Sequence, residues 1–290
     1  MKLIVKFNAV LLAVGALGFV ATAVIANQML QEKARAESLQ NARLLLEAAQ
    51  SARSYTDDHI VRLLENQMQD SFLPESVPSF AAGEMFASLH KSMPDYSYKD
   101  AALNPTNLRD RTSDWEADVV NQFRTDPNQK EIVGERETPT GRSLYLARPI
   151  TIQDGHCLVC HDTAAKAPAT MIERYGSANG FGWKLHETIG AQVVSVPTQV
   201  NADRAHATFV AFMSSVAAVF AAIFVVLNLM LTFLVIRPIT RLSSIAERVS
   251  LGDPDAPEFD VSGSDEVGGL GRAFARMRTS LQKAIDLIEP

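Results

Sequence analysis

Residues 154 to 162 read DGHCLVCHD and hold the only two cysteines of the 290-residue chain, Cys157 and Cys160, followed at once by His161. Three chemistries share a Cys-x-x-Cys spacing: a redox dithiol, half of a zinc site, and a covalent haem attachment point. A structural zinc site takes four ligands, usually as two spaced pairs. The chain has no second cysteine pair, and His59, His90, His156, His186 and His206 stand singly. A catalytic dithiol sits at a helix N-terminus within a βαβ unit, and the flanking PITIQDGH and DTAAKAP offer no such unit. A disulfide across two residues would close a very small loop. The haem reading alone employs all three residues: the thiols add to the haem vinyl groups, and the adjacent imidazole becomes an axial iron ligand.

The compartment bears on that choice. After Lys6 no charged residue appears before Glu32, and none appears between Arg204 and Arg237. Each run exceeds the roughly 20 residues a helix needs to cross about 30 Å of hydrocarbon. The first is also longer than the apolar stretch of a cleavable signal peptide, about 7 to 15 residues, and reads as a retained anchor. Lys2 and Lys6 precede the first run, and Arg237 and Arg241 follow the second; the flanks between carry both signs. Excess positive charge marks the cytoplasmic side. The expected layout is a cytoplasmic N-terminus (1–6), spans at 7–31 and 207–236, an outer domain at 32–206, and a cytoplasmic segment at 237–290. In a bacterium this places both termini in the cytoplasm and the cysteine motif in the periplasm, where such haem attachment is made. The formal charge of −6 leaves no basic face for nucleic acid.

Between the spans, residues 31–66 lack glycine and proline and predict a long helix continuing out of the membrane. Leu39, Leu44, Leu45, Ala48 and Ala52 make its apolar stripe, resumed by Ile60, Leu63 and Leu64. A helix over 79–91 and another opened by Ser113, with Glu116 three residues on, come next. The stretches QKEIVGERE and RSLYLARPITI around TPTG predict a hairpin. A Gly-rich loop, YGSANGFGW, precedes a last strand, IGAQVVSVPTQV, that runs almost directly into the second span. The domain is α+β, with helices in front and a small antiparallel sheet behind.

After the second span, Ile239, Leu242, Ala246 and Val249, then Leu270, Phe274, Met277, Leu281, Ala284 and Ile288, repeat at steps of three and four. Two short heptad stretches around an acidic connector suit a parallel, dimeric four-helix coiled coil. With Pro238 just past the span and Asp265–Glu266 opening the second helix, residues of about 237 to 289 resemble a HAMP domain. The resemblance implies a device relaying a conformational change to something cytoplasmic.

The ordered motifs PSFAAGEMFASLHKSMPDYSYKDAALNPTNLRDRTSDWEADVVNQFR, GHCLVCHDTAAKAP, ERYGSANGFGW and IGAQVVSVP, within about 40 to 200, resemble a family of periplasmic c-type haem sensor domains with a PAS-like fold. That resemblance implies one covalent haem c on Cys157 and Cys160, with His161 as proximal ligand. Both thiols are then spent, so the sixth ligand is sought among His59, Met68, Met85, His90 and His186. His59 is preferred because its helix continues from the first span. An open sixth position would admit a diatomic gas. The expected protein is a sensor in the inner membrane, homodimeric through its HAMP helices. The alternatives are an anchored electron-transfer cytochrome and a non-haem dithiol or zinc sensor. No nucleophile–base pair, phosphate loop or hydrolase helix is legible, and GSANGFG does not open a helix after a strand, so no enzyme is expected. The chain ends soon after the second heptad stretch, so output is expected to pass to a cytoplasmic partner.

Overall fold

A computed structural model describes residues 3–68, 70–139, 141–153, 155–253, 255–260 and 263–286. Lys2, Thr140, Asp154, Ile288 and the terminal Pro290, cited above, lie outside them. Two compact units emerge, one of Asn27–Phe209 and one of Met1–Ala26 with Val210–Pro290.

The first proline of the chain is Pro74, and nothing before it breaks a helix outright. Helix α1 accordingly runs unbroken from Leu3 to Tyr55. A π-helical turn, Thr56–Ile60, follows, in which the Val61 N–H bonds the Thr56 carbonyl. Buried Thr56 also back-bonds its hydroxyl to the Ala52 carbonyl at 2.9 Å, and such competition loosens the regular ladder. Helices α2 (Val61–Met68) and α3 (Pro78–Ser92) come next, α3 with proline at its first turn, where the missing N–H costs nothing.

Strands β1 (Ser97–Ala102), β2 (Ile132–Thr138), β3 (Gly141–Thr151) and β4 (Thr188–Pro197) form one antiparallel sheet in the order β1-β4-β3-β2. Helix α4 (Asp114–Thr125) starts at a capping box made by Ser113 and Glu116. Its Val119, Val120 and Phe123 pack on Ala101, Ala147, Ala191 and Val193. The opposite face, Leu144, Leu146, Val194 and Val196, receives Ala42 and Leu46 of α1. Central β4 is covered on both faces, which is why it is buried from Ile189 to Val196 without alternation.

The stripe read on α1 is therefore corrected. Ala42, Leu46 and Ala49 are fully buried, with Leu39 and Leu45 at the margin, whereas Leu44 is 69% exposed, Ala48 is exposed and Leu63 is 75% exposed. The close-packed line runs Ala42, Leu46, Ala49 at steps of four and three, its alanines letting the helix approach the sheet, beside the line through Leu44 and Ala48 that the reading included. Ion pairs Arg35–Glu135, Arg43–Glu131, Glu47–Arg148 and Arg53–Asp100 fasten the same helix to the strands and to the loop before β2.

In the second unit, both α1 and the helical run beginning with α7 (Gln199–Met230) are long and apolar enough to cross a membrane. A π turn, Leu231–Ile236, closes α7, with the Arg237 N–H on the Thr232 carbonyl. Pro238 supplies the reason: it has no N–H to give, and its ring clashes with the carbonyl four residues back. Helices α8 (Arg237–Ser250) and α9 (Glu266–Asp286) follow. Leu242 and Ile245 are buried with Phe259, beside Val267 and Phe274. Ile239, Leu270, Met277 and Leu281 of the predicted seam are 40–53% exposed in the single copy.

Candidate functional site

Gly155 to Asp162 wind into about two helical turns, with main-chain bonds from Leu158 to Gly155, Val159 to His156 and His161 to Cys157; α5 (Leu158–His161) is their regular part. Residues three apart on a helical turn share a face, so Cys157 and Cys160 lie side by side. Cys157 is exposed, Cys160 half-buried, and no disulfide joins them. Burial pushes the Cys160 thiol above its ordinary range, and the neighbouring Cys157 adds to the effect.

His161 is held differently. Its Nδ1 lies 2.7 Å from the Gly180 carbonyl, and Thr106 Oγ1 is at 3.4 Å. A carbonyl only accepts, so Nδ1 carries the proton and Nε2 is the lone-pair nitrogen. Burial pulls the imidazole pKa below its ordinary value, against the opposing Gly180 bond, which keeps the ring neutral at pH 7. The Trp183 ring stacks on it with centroids 3.9 Å apart and planes 16° from parallel.

The Gly-rich loop makes this possible. Gly182 N–H bonds the Asp162 carbonyl at 2.8 Å and Trp183 N–H the His161 carbonyl at 3.2 Å, laying the loop along the turn. Gly180 sits at φ +84°, and a side chain there would run into Thr106. The loop after β1 closes the other side. Asn104 accepts from Gly180 N–H at 3.1 Å and donates to the Phe181 carbonyl at 3.2 Å, while Arg111 donates to Asn179 at 2.9 Å.

The donor set fits a covalently attached haem: two adjacent thiols, then a neutral imidazole whose outer-shell bond leaves Nε2 to bind. Among the described residues no three His, Cys, Asp or Glu side chains gather as a metal ion would need. Cys157, Cys160 and His161 share a turn but are not such a group.

The candidate sixth ligands are dispersed. His59 is exposed in the π turn after α1, its ring 5.1 Å from that of Tyr55. Met68 ends α2 and Met85 lies on α3, both about 40% exposed. His90 places Nδ1 3.0 Å from the Tyr96 carbonyl. His186 takes φ +63° just before β4. It lines a cavity of about 680 Å³ with Gln50, Phe123, Arg124, Arg148 and Gln192, whose wall includes none of Cys157, Cys160 and His161. Asn104, Thr106, Gly180 and Trp183 were not singled out from the sequence. Their signal was there, in ALNPTN and the loop motif, but only as residues of a resemblance.

A mixed α/β domain on one antiparallel sheet, two long apolar helices and a two-helix module after the second of them have the build of a membrane-type signal transducer. The chain belongs to the Tll0287-like family, whose model matches residues 31–197, more than half of its length. A HAMP domain matches residues 230–283. Both ranges begin somewhat earlier than the motifs had indicated. Among solved structures, that of the cyanobacterial heme-protein Tll0287 is similar, with 17% identity over 56% of this chain and 95% of that one, at a TM-score of 0.43. No curated protein matches the chain.

Proposed function

We propose that the chain is an inner-membrane, c-type haem sensor with a periplasmic PAS-like domain and both termini in the cytoplasm. Cys157 and Cys160 hold the haem through thioethers and His161 is its proximal ligand. The observation that carries this reading is the His161 Nδ1–Gly180 bond of 2.7 Å, which reserves Nε2 for iron on the very turn that presents both thiols. The bound group supplies a one-electron couple and an iron with a sixth position, for which His59 is the candidate ligand and a diatomic gas its competitor.

The chain's own residues supply the relay. Strand β4 passes into α7 through Thr198 alone, whose N–H and hydroxyl both donate to the Arg142 carbonyl, at 3.0 and 2.9 Å. Just beyond, buried Asn201 donates to buried Ser38 of α1 at 2.9 Å. A shift of β4 is thereby passed to the base of α7 by main chain, and to α1 by one buried hydrogen bond. The HAMP helices are the bistable element that such a shift biases. Ile239, Leu270, Met277 and Leu281 are the apolar seam that a second copy covers in a homodimer. Output goes to a cytoplasmic partner in trans, and no catalytic step is assigned to this chain.

The test is an absorption spectrum of the full-length protein made with haem-attachment machinery, oxidised and reduced, with and without carbon monoxide or nitric oxide. A haem band that stays with the polypeptide on denaturation is expected. A colourless protein, or haem released on denaturation, sinks the proposal. A band shifted by gas assigns gas sensing, and one indifferent to it assigns redox sensing with a protein sixth ligand.

A further inference from the structure

An imidazole on a helix of four residues is poorly held by that helix. Rotation about its Cβ–Cγ bond and the choice of tautomer must be settled from outside, and here both are settled by residues 180–183. Trp183 lies parallel to the ring at 3.9 Å, which blocks rotation. Gly180 receives the Nδ1 proton, which decides the tautomer. The position of that carbonyl depends in turn on Asn104. Its side-chain oxygen accepts from the Gly180 N–H at 3.1 Å and its amide nitrogen donates to the Phe181 carbonyl at 3.2 Å. It therefore grips the peptide units on either side of the accepting oxygen. The amide has one workable orientation, because the reverse sets donor against donor at the Gly180 N–H.

We infer that Trp183 and Asn104 are positioning residues for His161, Trp183 holding the plane of its ring and Asn104 holding the carbonyl that takes its proton. Neither touches the reacting atoms; each acts through the imidazole. An outer-shell partner of this kind raises ligand basicity and fixes ring orientation, and its loss typically costs 10- to 100-fold. The inference concerns the imidazole itself and rests on the haem reading only where iron is the reporter.

The experiment uses the full chain in lipid nanodiscs with ¹⁵N-labelled histidine. In the haem-free Cys157→Ser/Cys160→Ser protein, His161 is expected as a single Nδ1–H tautomer with ring protons shifted by Trp183. Asn104→Leu converts it to a tautomer mixture, and Trp183→Leu abolishes the ring shift. Trp115→Leu changes neither, since Trp115 packs on Tyr145 instead. In the haem-loaded chain, Trp183→Leu changes the g-values of the oxidised iron and Trp183→Phe largely restores them. Asn104→Leu changes the oxidised-to-reduced ratio at fixed potential roughly tenfold, equivalent to about 59 mV for one electron.

Folded Asn104→Leu and Trp183→Leu proteins with unchanged His161 resonances and unchanged g-values overturn the inference while leaving the haem reading intact. A chain that never takes haem, yet loses its tautomer preference in Asn104→Leu and its ring shift in Trp183→Leu, removes the haem reading and supports the inference. Should a leucine variant misfold, Asn104→Asp, which keeps the acceptor and loses the donor, and Trp183→Met, which keeps a long apolar side chain and removes the ring, decide the matter by the same two readouts.

Discussion

Replacing Arg53 by methionine attacks the most buried of the ion pairs that tie α1 to the sheet among the described residues. Arg53 reaches Asp100 on β1 at 2.6 Å with side chains only 21% and 11% exposed, and Tyr98 donates to the same carboxylate at 2.7 Å. Burial pushes the Asp100 carboxyl upward, opposed chiefly by Arg53. Burial likewise pulls Arg53 down, but Asp100 and Tyr98 outweigh it and the guanidinium stays charged. Removing one partner of a buried pair costs about 3–5 kcal/mol, because the other charge stays buried. Asp100 can escape by taking a proton, which sets a ceiling. At pH 7 that proton costs about 4 kcal/mol for a group ordinarily titrating near 3.9, and at pH 5 only about 1.5 kcal/mol. The Asp100 carboxyl already titrates above its unfolded value and loses the opposing pull of Arg53 in the variant, so the extra instability grows as pH rises through the native folded pKa. Both tryptophans of the chain, Trp115 and Trp183, lie in the α/β unit, so tryptophan fluorescence of the intact protein reports its unfolding. A drop in Tm of about 10 °C at pH 7 is expected for a unit of this size, and less than half of that at pH 5. A pH-independent loss, or one below about 1 kcal/mol at pH 7, refutes the reasoning. Adding Asp100→Asn to the variant should recover much of the loss.

Three further outcomes follow from the same geometry. Burial, reinforced by Asp100 and opposed by Arg109 and Lys99, pushes the Asp110 carboxyl up to about 6. A raised carboxyl destabilises the fold as pH climbs from about 4 to 6, so Asp110→Asn should add on the order of 1 kcal/mol at pH 7, after solvent screening, and nothing at pH 4, read by the same melt. Gly180→Ala meets both a positive φ and the Thr106 side chain; a loss of about 1–3 kcal/mol is expected, with a histidine resonance that no longer reports a single tautomer, and an unchanged melt argues against the loop geometry. His59→Ala should change the haem spectrum if His59 is the sixth ligand. An unchanged spectrum eliminates it, and its exposure predicts that the melt moves by less than about 0.5 kcal/mol either way.

Much of the protein was legible in one dimension because its signals are local. Two uncharged runs announce membrane-length helices, as length and hydropathy require no partner. Ser113 and Glu116 mark a helix start because a capping box closes within four residues, and Pro238 marks a break because its own ring causes it. Cys157, Cys160 and His161 narrowed the chemistry by type and spacing, and a single helical turn makes such neighbours adjacent whatever the rest of the chain does.

What spacing left open was decided by residues distant in sequence. Which side of α1 faces inward depended on the relief of the sheet, so Ala42 and Ala49 displaced the bulkier Leu44 from the contact. The buried cluster of Arg53, Tyr98 and Asp100 joins a helix to a strand 47 positions on, a pairing no periodicity records. Above all, the proton on His161 is placed by Gly180, and Gly180 by Asn104, 76 residues earlier. Residue order is enough to place a thiol pair and an imidazole on one turn between two apolar helices. Which imidazole nitrogen is left to bind comes from the fold, because a tautomer is chosen by an acceptor that folding brings from elsewhere.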